Sequence, residues 1–255
     1  MRGLGPLGLL VAFVEIAKVT LRQLLGRRRT LLLVLLSALP VLLAVAFRLG
    51  GETEVDRFTR RIFDTITMTI LLPLVAILFG AGAFGAEIDD GTVVYLLAKP
   101  VPRWIVVAAK ASSALTMAVL LTGTATALAG IIDMVPAGAD GVSATFAQVL
   151  AVVIGSACYV SLFLVVSLFT RRALVIGIGY MLVWEGALSF MLAGIANLSI
   201  RQYALGVSTA IYKLPLQETR LAADTAFILS GVLVVAALVI ATWKLMRFEL
   251  PGGSD

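Results

Sequence analysis

Residues 225–243 read TAFILSGVLVVAALVIATW, an uninterrupted run without a charged side chain between Asp224 and Lys244. A helix of this length rises ~28 Å, close to the thickness of a bilayer's hydrocarbon core. It is apolar on every face, so no one-sided soluble core would satisfy it. Five further stretches share the pattern: 31–49, 66–86, 105–132, 144–169 and 173–196. Six membrane spans are therefore expected. Pro40 and Pro73 fall inside the first two, where neighbouring groups in a membrane bundle can satisfy the freed carbonyls.

Composition agrees. The 255 residues are 60% hydrophobic and 14% charged, with a mean hydropathy of +1.06. Soluble domains are about 45–50% apolar and about 25% charged. The fold class expected is an all-α integral membrane protein, a single transmembrane domain over residues 1–255. Histidine is absent and Cys158 is the single cysteine, which leaves no disulfide within the chain and removes the usual metal ligands. The net charge of +5 sits beside apolar runs and reads as membrane-surface charge, with no nucleic-acid footprint. The apolar stretch Leu7 to Val14 is followed at once by Glu15 and Lys18 and by no small-residue cleavage site, so it does not read as a removed signal.

Lysine and arginine set the orientation. With six spans, thirteen of the twenty fall on the side of both termini and seven on the other. Arg27, Arg28 and Arg29 stand directly before the first span. The bias places both termini in the cytoplasm. Ahead of that cluster, residues 7–26 form an amphipathic stretch. Leu10, Phe13, Val14, Ala17, Leu21, Leu24 and Leu25 recur at helical spacing, opposite Glu15, Lys18 and Arg22. This reads as a helix lying in the cytoplasmic interface, with its apolar face in lipid, the alternative being the start of one long tilted first helix. On the other side, residues 197–224 form a longer extracytoplasmic segment. In it Ile200, Tyr203, Ala204 and Val207 predict a short helix on the outer surface.

The cytoplasmic loop 87–104 is the most informative segment. It runs from Glu87 through Asp89, Asp90, Gly91, Thr92, Val93, Val94, Tyr95, Leu96 and Leu97 to Lys99, Pro100, Arg103 and Trp104. Asp89 or Asp90 can cap a helix whose other end carries Lys99 and stops at Pro100. Such a helix has an apolar face that either rests on lipid or docks on a partner. Glu185, in the fifth span, is the other marked residue. A carboxylate there is costly, so it either meets a substrate or proton path or is a paired structural group. Tyr159, Tyr180 and Arg172 are its candidate neighbours. Gly80-Ala81-Gly82-Ala83-Phe84-Gly85 matches a dinucleotide fingerprint in letters only. It follows an apolar helix with no βαβ unit, so its small residues read as close helix packing. Thr122, Thr124, Thr126, Ser156 and Ser161 carry no assigned role.

The loop's Glu, acidic pair, Gly-Thr, aromatic-Leu-Leu run and Lys-Pro-Val-x-Arg-Trp resemble the second-to-third-span loop of ABC-2 type permeases. The interfacial helix, the arginine-rich entry to the first span and the six spans are similar as well, and the resemblance makes residues 7–26 the elbow helix. Tyr180 to Glu185 resembles the branch that includes the permease for copper-site maturation of nitrous oxide reductase. The resemblance implies the membrane-spanning subunit of an ATP-driven exporter in the cytoplasmic (inner) membrane. It implies a second permease copy or paralogue and two ABC ATPase subunits per complex. Glu87, Asp89, Asp90, Gly91, Thr92, Tyr95, Leu96, Leu97, Lys99, Pro100 and Arg103 would form the ATPase-coupling loop. Glu15, Lys18 and Arg22 would mark the elbow, and Glu185 a possible substrate path. The chain has no Gly-x-x-x-x-Gly-Lys-Ser/Thr loop, so ATP and Mg would be bound by the partner ATPase and the chain would be non-catalytic. Alternatives are a channel or scaffold without an ATPase, or an intramembrane enzyme.

Overall fold

The computed structural model describes residues 5–26, 28–50, 63–91, 101–133, 139–188, 198–212 and 221–247. Among these residues every regular element is helical. In chain order they are α1 (Pro6–Leu25), α2 (Arg28–Leu49), and a π-helical stretch Phe63–Leu71 leading into α3 (Leu72–Asp89). Then come α4 (Arg103–Asp133), α5 (Ala139–Phe169), α6 (Ala173–Gly179) continued by a second π-helical stretch Tyr180–Leu188, α7 (Ile200–Ser208) and α8 (Ala223–Met246).

Five helical stretches among the described residues are long and apolar enough to cross a membrane: Thr30–Leu49, Phe63–Gly85, Arg103–Ile132, Asp140–Phe169 and Ala223–Met246. The chain is a multi-pass membrane protein. The fifth expected span, 173–196, appears as a shorter apolar helix over Ala173–Glu185. Its continuation beyond Leu188 lies outside the described residues.

α3 and α5 form the centre. Met68, Leu72, Val75, Ala76 and Phe84 pack there with Val152, Tyr159, Phe163 and Leu164, all fully buried or nearly so. Gly80 sets how closely the two helices approach. A Cβ at this position would stand 2.8 Å from the Val160 carbonyl oxygen and 3.1 Å from its Cα. The neighbour is backbone and cannot swing aside. Gly82 faces only the end of the Leu24 side chain at 3.5 Å, an ordinary contact. Replacing Gly80 by valine is therefore expected to destabilise by about 1–3 kcal/mol. Gly82→Ala is expected to be nearly silent. Thermal unfolding of the two variants in detergent checks the contrast.

Pro73 is the second residue of α3, separated from the first π-helical stretch by Leu72 alone. Proline has no N–H to give to the preceding turn and its ring crowds that turn's carbonyl. The widened π-turns just before it accommodate this, and the Thr69 hydroxyl donates to the Asp64 carbonyl at 2.9 Å. Pro40 lies inside α2, which continues through it. Hydroxyls elsewhere are absorbed by their own helices. Thr122 donates to the Ala118 carbonyl at 2.6 Å, Thr126 to Thr122 at 2.7 Å and Ser161 to Ala157 at 2.6 Å, while Thr124 bonds the Leu120 carbonyl.

α1 is docked on the protein along one edge. Thr20 and Leu24 are buried, and the Ser113 hydroxyl of α4 reaches the Ala17 carbonyl at 3.1 Å. Leu7, Leu10, Val14 and Leu25 remain exposed. The apolar stripe assigned wholly to lipid is thus divided between the bundle and the exterior. α2 and α8 carry most of the other exposed apolar residues, among them Leu31, Leu35, Leu42, Val232, Val235 and Val239. Lipid, or another membrane-embedded chain, is the solvent for such faces.

Candidate functional site: a buried carboxylate on a buried helix end

α7 differs from the outer-surface helix expected. All nine of its residues, Ile200 to Ser208, are buried. It packs against α5 and α8, with Tyr203 and Val207 against Leu221 and Ala226. Gly206 allows this, since a Cβ there would meet the Ala226 Cβ at 2.7 Å. The helical periodicity was a true signal of helix. The expected outer-surface placement is not met, because the whole helix, Arg201 and Gln202 included, is packed inside the protein.

A buried helix N-terminus leaves N–H groups that need acceptors. Glu185 supplies them from the second π-helical stretch. Its side chain is fully buried. One oxygen accepts the backbone N–H of Ile200 at 3.0 Å and of Arg201 at 3.5 Å, and the Tyr180 hydroxyl at 3.2 Å. The other accepts the Ser199 hydroxyl at 2.7 Å. The Ser199 oxygen in turn accepts the Gln202 N–H at 3.3 Å, as a helix N-cap does. The carboxylate also meets the positive end of the helix dipole. Tyr159, fully buried, lies within electrostatic reach of Glu185 and Arg201.

Arg201 ties the same helix end to the first π-helical stretch. Its Nη2 contacts both Asp64 oxygens, at 2.5 and 2.6 Å, across 137 residues of sequence. Only 7% of Arg201 is exposed. Trp184 stacks on Tyr180 with ring centroids 6.3 Å apart, and its indole N–H reaches the Leu198 carbonyl at 3.3 Å. A groove of about 470 Å³ opens beside the cluster, walled by Tyr180, Trp184, Tyr203, Leu162 and Leu233. The arrangement positions α7. Four donors from its own chain already approach the Glu185 oxygens, so the groove presents aromatic and apolar surface. Of the neighbours expected from sequence, Tyr159 and Tyr180 are present. Arg172 is exposed at the start of α6, thirteen residues earlier, or about 20 Å along a helix.

The opposite end of the bundle holds a second polar joint. Glu87, assigned to the coupling loop, pairs with Lys110 of α4 at 2.6 and 2.7 Å. Lys110 also donates to the Ala83 carbonyl at 2.6 Å and lies 4.9 Å from the centroid of the Phe84 ring. It is only 1% exposed, so it is not the surface charge that the orientation count took it for. Asp89 ends α3, and so it is not the N-cap that the sequence offered. Asp90 is exposed. Gly91 closes the turn at φ +67°, with its N–H on the Ile88 carbonyl at 3.4 Å, a conformation that favours glycine. Arg103 begins α4. Thr92, Tyr95, Leu96, Leu97, Lys99 and Pro100 lie outside the described residues. Glu15, Lys18 and Arg22 are exposed on α1.

Sequence reasoning missed Lys110, Asp64, Ser199 and Arg201. Two of them left a trace. Lys110 lies within an apolar run, the signature that singled out Glu185. Ser199-Ile200-Arg201-Gln202 is a capping box in letters. Among the described residues no group of three or more potential metal ligands comes together.

No curated protein is similar enough to the chain to match it. The family described as ABC-2 family transporter protein matches residues 14–250, from within α1 to just beyond α8. That span takes in every apolar helix and both polar joints, and the chain belongs to this ABC-2 transporter family, as a membrane permease of an ABC transporter.

Proposed function

We propose that the chain is the six-span subunit of an ATP-driven exporter in the cytoplasmic membrane, with both termini in the cytoplasm. A separate ABC ATPase, two copies per complex, binds ATP and Mg. A second permease copy or paralogue completes the path. The loop between α3 and α4 seats on the ATPase, and α1 serves as the elbow beside it. The observation that supports this most directly is the Glu87–Lys110 pair. It fastens the end of α3 to the start of α4 at the base of that loop. A push on a loop closed at its base reaches both helices together, where a slack loop would absorb it. The chain performs no bond chemistry of its own. An apolar or amphipathic cargo suits the aromatic groove beside Glu185.

Co-purification in mild detergent tests the reading. The tagged chain, expressed among its genomic neighbours, is expected to bring down a P-loop ATPase with measurable ATP hydrolysis. A variant with Asp89→Arg, Asp90→Arg and Leu97→Asp is expected to lose it. If no ATPase accompanies the native chain, the exporter reading fails, and a channel or scaffold takes its place.

A further inference from the structure

A cavity of about 350 Å³ opens at the bundle end that carries the Glu87–Lys110 pair. Five helices meet around it: the last turn of α1, the start of α2, the second half of α3, the end of α5 and the start of α6. Its wall is amphipathic. Leu33, Leu78, Phe79 and Leu174 supply apolar surface, while among the described residues Asp90 and Arg171 supply one charge of each sign.

The two charges line one cavity yet do not pair with each other. Neither side chain has an ion-pair or hydrogen-bond partner among the described residues. A hydroxyl donor stands beside Arg171. The Thr170 oxygen accepts the Arg172 backbone N–H at 3.1 Å, which leaves the Thr170 proton free to give. The cavity thus offers a cation, a hydroxyl donor, a carboxylate and apolar side chains in one lining. The exposed flank of α1, with Leu25 at its end, places this mouth where apolar surroundings meet water.

From this lining we infer that the cavity holds the headgroup of a zwitterionic phospholipid, with phosphate on Arg171 and Thr170 and ammonium on Asp90. Its acyl chains run out past Leu33 and Leu78. Phosphatidylethanolamine fits the lining, because its primary ammonium can donate hydrogen bonds to a carboxylate. A phosphatidylglycerol headgroup could place the same phosphate on Arg171 but would offer Asp90 neutral hydroxyls in place of a cation. This assignment does not depend on the partner ATPase or on the direction of transport.

Native mass spectrometry of the whole purified chain tests it. Phosphatidylethanolamine and phosphatidylglycerol with identical acyl chains are titrated separately. One phosphatidylethanolamine per chain is expected to persist, at least tenfold tighter than phosphatidylglycerol. Asp90→Asn and Arg171→Gln should each weaken it about tenfold or more, as loss of a charge-assisted contact does. Both side chains are exposed, so both variants should unfold at the wild-type temperature. Asp90→Asn should also narrow the preference over phosphatidylglycerol, which a general loss of lipid binding would not do. Equal retention of both lipids, or indifference to Asp90→Asn, would identify ordinary boundary lipid and overturn the assignment. Displacement of the lipid by equimolar O-phosphoethanolamine would assign the cavity to a soluble zwitterion instead.

Discussion

Replacing Glu185 by alanine is expected to destabilise the protein by roughly 3–5 kcal/mol. The loss has identifiable parts. The Ser199 hydroxyl and the Ile200 N–H are buried and would lose their acceptor. Each such orphan costs about 1–3 kcal/mol. The dipole of α7 would also lose its counter-charge. Glu185→Gln should cost much less, because the amide oxygen can still serve the Ile200 N–H. Its amide nitrogen, however, can only donate, and would have to avoid Ser199 or turn its hydroxyl round. Unfolding in detergent measures the ranking. Hydrogen exchange localises it: in Glu185→Ala the amides at the start of Ile200–Ser208 should lose protection first, while those around Gly80 keep theirs. An alanine variant that unfolds like the wild type, with that helix still protected, would show that the carboxylate does not hold it.

That helix also shows what a sequence can and cannot reveal. Its periodicity depends on neighbours three and four residues apart, so Ile200, Tyr203, Ala204 and Val207 announced a helix. Its burial depends on Asp64 and Glu185, which are distant in the chain, and no local pattern carries such a pairing. The same logic separates the spans from the joints. Apolar runs such as 225–243 and 144–169 declare themselves, because lipid demands apolar side chains all round. Glu185 was conspicuous for the same reason, although Ser199 and the α7 amides that bond it were not. Lys110 broke the same rule, but seven residues from the start of α4 a basic residue passes for a loop charge. The close approach at Gly80 was legible as small-residue packing. That the partner is the Val160 backbone was not, since nothing in residues 80–85 points to residue 160. Along α1 the division of the stripe between bundle and exterior was invisible, because leucine suits protein and lipid equally well.

The second large effect is expected at the Glu87–Lys110 joint, and it depends on which residues change together. Glu87→Leu alone leaves an ammonium with 1% exposure facing the Ala83 carbonyl and the Phe84 ring without its carboxylate. Removing one partner of a buried pair costs about 3–5 kcal/mol, mainly through the charge left behind. Changing Glu87→Leu and Lys110→Met together removes both charges at similar volume. Substitutions of that kind are often neutral, because desolvating the two ions offsets much of their attraction. The double variant is therefore expected to recover most of the stability that the single variant loses. Unfolding of the wild type, both single variants and the double variant in detergent closes the cycle. A coupling energy near zero would mean that the two residues act independently and that the observed contact is energetically idle. If the double variant recovers, stability alone does not require the pair, and its remaining contribution is geometric. Lys110 bonds both Glu87 and the Ala83 carbonyl, so it fixes the rotation of α3 against α4 as well as their separation. A leucine–methionine contact supplies no such direction. Spin labels at Ile88 and Val101, flanking the loop, should then give a single narrow distance distribution in the wild type and a broad one in the stable double variant. Equal widths would sink the geometric role while leaving the coupling energy intact.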